Sequence, residues 1–565
     1  MNRRSRMLTA SVAATVVLLL AVAAIPAQAQ TPTVIYSFPG GSEPANPVAD
    51  AIAQGRDGNL YSTTVYGGVV GTTTGTVFKI TPAGTVTVVY AEPAGSGPGF
   101  DCFPYSGVTL GTDGNFYGTN YYGGANGHGE VYKVTAAGVV TPLHSFAGTG
   151  DGANPYSGPI EGTNGVFYGT TTSSATVNST VYSVTSGGTF NTLHTFTGAD
   201  GQDVGAPLVQ GTDGNFYGDT NAGGTGDGVI FKMTPSGTVT VLHTFAGTDG
   251  STASYPLIQA TDGNFYGTTY TGGSSNAGVV FKITAGGTYN VIYNLNGTTD
   301  GSGPTSGLVQ ATNGKLYGVT ENLNVGLGTI FSVTTSGTFT TLYSFTAADY
   351  PDGGYPASPL IQHTDGLLYG TTYVGGNPSN GCNSILYPGG EPTVYNGCGV
   401  FYKLNVGLGP FVSLLPRSGK EGAVIGILGQ GFTSASVVMF DGVTAVSTTR
   451  GSNFISATVP AGILTGLVTV TTGATTRTSN KAFRVTPTFP SFNPTSGPVS
   501  TPVVLTGTGL MQTTKVTFGG VAATTVTVNS DTQVTADVPT GAVTGKIVIS
   551  TNGGVAESTT DFTVN

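Results

Sequence analysis

The sequence predicts an all-β fold, a seven-bladed propeller followed by two small sandwiches. Three observations lead there: a tyrosine phrase recurring about every 50 residues through the first two thirds, an outer-strand phrase absent from the last copy but present ahead of the first, and a second, longer repeat near the C-terminus. No copy carries an apolar pattern of period 3.6, which excludes a helical array.

The N-terminus opens with Arg3, Arg4 and Arg6, continues through an apolar run from Val16 to Ile25, and reaches Ala27-Gln28-Ala29. A basic start, a short apolar core and small residues at the A-x-A positions make residues 1–29 a secretory signal cut after Ala29. The competing reading is an uncleaved anchor over Met7 to Ile25, which requires Thr9, Ser11 and Thr15 to lie in lipid. After cleavage no stable membrane insertion is expected, and the destination is extracellular or the bacterial cell surface.

The repeat occupies residues 34–405. Its core phrase, D/N-G-N-x-Y-G, stands as Asp113-Gly114-Asn115-Phe116-Tyr117-Gly118 and Asp213-Gly214-Asn215-Phe216-Tyr217-Gly218. Its tyrosine recurs at Tyr61, Tyr117, Tyr168, Tyr217, Tyr266, Tyr317 and Tyr369. Each copy reads as four short strands. Pro207 to Thr212 is followed by an Asp-Gly pair that accepts the positive φ angles of a tight hairpin, then by Asn215 to Thr220. A glycine-rich connection from Gly223 leads to Val229–Met233, and Pro235-Ser236-Gly237 turns into Thr238–Phe245, rich in strand-forming Val and Thr.

Meandering sheets stacked in a line would leave exposed ends, and a closed ring removes them. The fourth strand reads Leu143-His144-Ser145-Phe146, Leu193-His194-Thr195-Phe196, Leu242-His243-Thr244-Phe245 and Leu342-Tyr343-Ser344-Phe345, yet the seventh copy stops at Val400–Leu404. Val34-Ile35-Tyr36-Ser37-Phe38 matches the missing strand, so residues 34–38 are expected to complete the last blade and lock the ring. With Gly278-Val279-Val280-Phe281-Lys282 and Gly228-Val229-Ile230-Phe231-Lys232, the repeat resembles the bacterial tandem-repeat family called GloVer. That resemblance implies an exported protein with no assigned chemistry. Kelch repeats are a weaker match, because paired glycines occur but the chain has no Trp.

Beyond Pro410 the period changes to two copies of about 75 to 80 residues, 410–485 and 487–565. Pro416-Arg417-Ser418-Gly419, Gly429-Gln430-Gly431-Phe432 and Val459-Pro460 in the first answer to Pro494-Thr495-Ser496-Gly497, Gly507-Thr508-Gly509-Leu510 and Val538-Pro539 in the second. Both are similar to the IPT/TIG family, which implies immunoglobulin-like β-sandwiches used for spacing, docking or adhesion. Alternating runs such as Lys546-Ile547-Val548-Ile549-Ser550 agree with sandwich strands.

Composition narrows the partners. Removing residues 1–29 takes three of the 18 basic residues and none of the 28 acidic ones, leaving a formal charge of −13. No basic cluster offsets this, so nucleic acid is excluded as a partner, including the DNA bound by some IPT/TIG proteins. Charged residues are only 8% of the chain and are replaced by neutral polar ones, which suits an extracellular setting. Three cysteines are too few for a disulfide framework or a thiolate metal site. Cys382 and Cys398 bracket a Gly/Pro-rich insert, and a bridge there would stabilise that loop by about 3 kcal/mol while leaving Cys102 unpaired.

Candidate sites follow from exceptions to the repeat. His144, His194 and His243 occupy one repeat position in successive outer strands, a slot also filled by Tyr36, Tyr90, Tyr293 and Tyr343, and read as packing residues because metal ligands must converge. Gln54, Glu161, Gln210, Gln259, Gln310 and Gln362 lie seven residues before the tyrosine, with Leu110 as the exception; they would ring the channel and tie blade to blade, or bind a sugar. The Asp-Gly turns lack the alternating spacing of a calcium loop. Tyr66, Tyr121, Tyr122, Tyr270 and Tyr373 end the second strands and offer aromatic surface on one face, with Glu130, Asp219 and Glu321 as isolated acids nearby. No motif of a hydrolase, metalloprotease, phosphate loop or dinucleotide site occurs. The expectation is a monomeric, non-enzymatic exported protein that binds extracellular polysaccharide or a surface protein, with no catalytic residues, metal or cofactor. A carbohydrate-active enzyme using paired carboxylates and a structural envelope component are the alternatives.

Overall fold

A computed structural model describes residues 30–40, 43–47, 51–67, 75–91, 104–173, 177–253, 255–321, 326–345, 351–377, 383–386 and 393–565. Residues 1–29, expected to be a secretory signal, and Cys102 and Cys382 lie outside the described residues; Cys398 is disulfide-bonded. Every element is a strand, and among the described residues no helix is long and apolar enough to cross a membrane.

Among the described residues the repeat region forms six four-stranded antiparallel sheets, a five-stranded one and a two-stranded hairpin of Asn383–Leu386 and Thr393–Asn396, an arrangement that fits a propeller. In the fourth sheet, Val209–Gln210 is innermost, followed by Phe216–Asp219, Val229–Met233 and Val239–Thr244. The second and third strands are buried almost throughout, because sheets pack against them on both sides, while the outer strand is half-buried to exposed.

The seventh sheet takes its outer strand from the other end of the chain. Thr33–Ser37 pairs antiparallel with Val400–Leu404, and its register shifts between Val34 and Tyr36. The outer pairs of the other sheets carry the same irregularity, as between Val181 and Tyr182 or Ile230 and Phe231, so the N-terminal strand reproduces the repeat down to its bulge. Phe38 then enters the slot of Phe146 and Phe245, buried at 1% exposure against Phe78.

Two contacts recur between sheets. The repeat tyrosine of one sheet lies on the aromatic ring that opens the second strand of the next: Tyr61 on Phe116 at 4.0 Å, Tyr117 on Phe167 at 3.7 Å and Tyr217 on Phe265 at 3.9 Å. Such pairs contribute about 0.5–1.5 kcal/mol each beyond area burial. Nearer the axis, the inner-strand amide accepts from a threonine N–H of the preceding sheet: Thr163 to Gln210, Thr212 to Gln259, Thr261 to Gln310 and Thr312 to Gln362, at 2.8–2.9 Å. Glu161 does the same for Thr112, and Gln54 closes the circle by accepting from the Thr364 N–H and donating to its Oγ1. The amides therefore join blades, as expected of buried polar groups. Leu110 breaks the series, and at that junction Arg56 stands in the threonine position and donates to the Thr112 carbonyl at 2.6 Å.

That exception is where the first sandwich docks. Strands at Ser413–Leu415, Val424–Leu428, Phe454–Thr458 and Ser447–Thr449 form one of its sheets; Val443–Thr444, Val437–Phe440, Val468–Thr472 and Thr475–Thr478 form the other. Phe454 lies under the Arg56 guanidinium at 4.6 Å and shares a core with Leu428, Val108, Leu110 and Phe116. Asn453 donates to the Asp57 carbonyl, Gln430 to Thr364 and Arg484 to the Thr212 carbonyl. These partners all belong to the inner turns, so the sandwich sits across the channel mouth on the Asp-Gly turn face. The second sandwich repeats the strand order around its own core of Val503, Leu505, Phe518, Ile547 and Phe562.

The turns are held by a clasp. In Asp213-Gly214-Asn215, the carboxylate accepts from Asn215 and from the Tyr217 hydroxyl at 2.8 Å, and Lys232 approaches it at 2.9 Å. Burial alone would raise these carboxyls, but the hydrogen bonds and nearby cations outweigh it and hold Asp113, Asp213, Asp262 and Asp365 below the ordinary value. A depressed folded pKa adds stability above the unfolded pKa of about 4, and that stability is lost as pH falls through the folded value. Urea unfolding is accordingly expected to show Tyr217→Phe costing about 1–2 kcal/mol at pH 7 and a smaller amount below pH 3, once the carboxylate is protonated; an equal cost at both would contradict the clasp.

Candidate functional site

The face opposite the docked sandwich is built by the ends of the second strands and the loops that lead into each inner strand. A second strand of five residues spans about 17 Å from turn to tip, so Tyr66 and Asp57 lie on opposite faces of the disc. On this far face the tyrosines converge in one sector. Tyr121 meets Tyr122 edge-on at 4.6 Å and Tyr105 at 5.7 Å, and Tyr105 stacks on Tyr156 at 5.2 Å with ring planes 11° apart. Tyr66 and Tyr373 complete the sector, near enough to Tyr105 for their phenolates to repel one another. Burial, reinforced by that repulsion, raises both Tyr105 and Tyr373 to about 12, so the hydroxyls stay neutral donors at any physiological pH. All six rings are partly exposed.

Backbone geometry fixes these rings. Asn154 and Asn46 adopt φ of 53° and 54°, a left-handed conformation that asparagine tolerates. Their side-chain amides donate to the carbonyls of Tyr121 and Tyr373, each at 3.0 Å, tying one sheet's strand end to the loop of the next.

The sector contains Tyr66, Tyr121, Tyr122 and Tyr373 of the expected residues, and adds Tyr105 and Tyr156. Both additions follow a proline in one phrase, Pro104-Tyr105-Ser106-Gly107 and Pro155-Tyr156-Ser157-Gly158, where other copies have Thr305 or Ala357. As departures from the repeat they carried a signal that attention to the second-strand ends alone passes over. Tyr270 forms a separate pair, donating to Glu321 at 3.0 Å, and burial raises the Glu321 carboxyl despite that bond. Glu130 begins a third strand and accepts from Asn120 at 3.2 Å; burial raises it also.

Asp219 is not on the face. Its repeat position holds threonines whose hydroxyls donate to the next sheet, Thr63 to Pro104 at 2.6 Å and Thr170 to Ala206 at 3.1 Å. Asp219 faces the same junction at 1% exposure, with both carboxylate oxygens unpartnered among the described residues, and burial holds its carboxyl well above the usual range. The three acids stand in the second, fourth and sixth sheets, each with separate surroundings. Among the described residues no group of three or more His, Cys, Asp or Glu is placed to hold a metal ion. The outer-strand histidines bond to loop aspartates of their own module, His144 to Asp151 and His194 to Asp200.

A raised carboxyl destabilises the fold increasingly as pH rises above the unfolded value of about 4 and not below it. Asp219→Thr, restoring the repeat, is expected to stabilise the protein by about 1–3 kcal/mol at pH 7, the gain shrinking as pH approaches 4 in thermal or urea unfolding. A loss of stability at pH 7 would show that the carboxylate has a partner.

No curated protein matches the chain. Among solved structures, a surface glycan-binding protein from Prevotella bryantii is similar at 16% identity over 27% of this chain and 38% of that one, with a TM-score of 0.22. A surface glycan-binding protein from a xyloglucan utilization locus of Bacteroides uniformis is similar at 23% identity over 26% of this chain and 46% of that one, with a TM-score of 0.14. The chain thus spans less than half the length of either. A fungal alcohol oxidase in complex with copper is similar at 14% identity over 81% of this chain and 100% of that one, with a TM-score of 0.46. The IPT/TIG domain matches residues 487–564, the second sandwich. The Gloeobacter/Verrucomicrobia repeat matches residues 21–226 and 173–383, most of the chain, and the protein belongs to that repeat family.

Proposed function

We propose that this is an exported, non-enzymatic binding protein whose tyrosine sector takes an extracellular polysaccharide. The observation that carries this reading is the gathering of Tyr66, Tyr105, Tyr121, Tyr122, Tyr156 and Tyr373 on the face left open by the docked sandwich. Sugar rings present flat C–H surfaces between hydroxyls. Partly exposed tyrosines match both features, with an apolar ring face for stacking and a neutral O–H that donates.

Asymmetry supports it as well. A ring of like sheets needs no sector richer in aromatics than the rest, and the position of Tyr105 and Tyr156 is held by Gly205 and Thr305 in the fourth and sixth sheets. The sector is also pre-organised, because Asn46 and Asn154 hold the strand ends that carry Tyr373 and Tyr121, which lowers the entropic cost of binding. The separated acids give no support to the glycosidase reading. In this account the second sandwich serves as spacer or attachment at the cell surface.

Residues 30–565 applied to a glycan array, followed by affinity electrophoresis on the polysaccharides retained, should give selective binding. Tyr105→Ala and Tyr156→Ala should each weaken it by about 10-fold, as expected for one lost stacking partner. Tyr270→Phe, outside the sector, should leave it unchanged. An array without selective binding, or Tyr105 and Tyr156 variants that bind like the parent, would remove the proposal.

A further inference from the structure

The docked sandwich does more than cover the channel, since it places cations at its closed end. Ser418–Gly419 and Arg484–Val485 pair in parallel, and the Arg484 N–H donates to the Arg417 carbonyl at 2.9 Å, so the two arginines stand side by side on adjacent strands. Both line a cavity of about 320 Å³ between the sandwich and the inner strands of the second, third and fourth sheets. Lys481, just ahead on the same segment, reaches Gln310 of the ring at 2.5 Å, and Arg484 reaches the Thr212 carbonyl.

Arg417 is the informative residue. Its side chain is exposed to solvent at the cavity it lines. Among the described residues no hydrogen bond or ion pair engages its guanidinium, a group with five donors that is seldom left idle. Lys481 and Arg484 also lack a carboxylate within salt-bridge distance among the described residues. The one acid lining the cavity, Glu161, has both oxygens occupied by Thr112, at 2.7 Å from its N–H and 2.6 Å from its hydroxyl. Burial, with repulsion from Arg417, lowers the Lys481 ammonium to about 8. In a chain whose residues 30–565 carry a formal charge of −13, a cluster of three cations runs against the general composition, even with the turn carboxylates Asp213 and Asp262 near Arg484 and Lys481.

We propose that this chamber is an anion site, in which Arg417 and Arg484 take a small oxyanion, either the carboxylate of an acidic sugar or free sulfate, and Lys481 adds positive charge beside them. Arginine forks match the paired oxygens of carboxylate and sulfate. The site lies across the disc from the tyrosine sector and does not depend on the polysaccharide reading.

Isothermal titration of residues 30–565 with sodium sulfate and with sodium glucuronate, at constant ionic strength in chloride and with glucose as the neutral control, tests it. Saturable binding of at least one anion is expected, with none of glucose, and Arg417→Gln should weaken it at least 10-fold without lowering the thermal midpoint in chloride buffer. Lys481→Gln, a second variant on a different strand contact, should weaken it as well. Glucuronate binding would assign the site to an acidic sugar, and binding of sulfate alone would assign it to an inorganic anion. Absence of saturable binding by either, or binding undiminished in both variants, would overturn the proposal.

Discussion

A four-stranded sheet whose two middle strands are apolar on both faces is stable only if a neighbour covers each face, and in a ring that requirement falls hardest on the last sheet. The pairing of Thr33–Ser37 with Val400–Leu404 meets it. It supplies the missing outer strand, brings Phe38 against Phe78 and sets the seventh sheet beside the first, where Gln54 and Thr364 exchange hydrogen bonds. The tyrosine sector draws on the second and third sheets as well as the first and seventh, so its geometry depends on that seam.

Much of this was legible because repetition exposes itself. The Asp-Gly turns, the tyrosine period and the glutamine column could be read directly, and each has a local physical role: turn, clasp and inter-sheet tie. The closing strand was legible from what the seventh copy lacked. The histidines read as packing residues because their repeat position is shared with tyrosine. His243 illustrates the point by stacking on Tyr289 at 3.8 Å while bonding Asp249.

What stayed hidden involves surfaces that meet only in three dimensions. Leu110 and Arg56 look like isolated irregularities in the repeat, and nothing near them in sequence mentions Phe454, almost 400 residues away. The docking of the first sandwich therefore could not be read, and neither could the cavity it encloses. Tyr105 and Tyr156 were overlooked for a different reason. They lie in loops before the inner strands, whereas the other rings of the sector lie at the ends of the second strands, and only folding brings the two sets together. Asp219 shows the opposite error: an acidic exception near the right strand end turned out to point into a junction between sheets, where a threonine hydroxyl normally donates.

The division of labour between the two faces follows from the same seam. One face is closed by a sandwich that uses polar contacts to the inner turns, and the other keeps its aromatic rings in contact with solvent. Native-state hydrogen exchange on residues 30–565 tests the underlying claim most directly. If the N-terminal strand is an integral part of the last sheet, the hydrogen-bonded amides of Thr33–Ser37 will exchange within about tenfold of those in Val400–Leu404, both by global unfolding. Exchange of the N-terminal amides orders of magnitude faster, while Val400–Leu404 stays protected, would mean that the ring does not depend on this strand and would contradict the account.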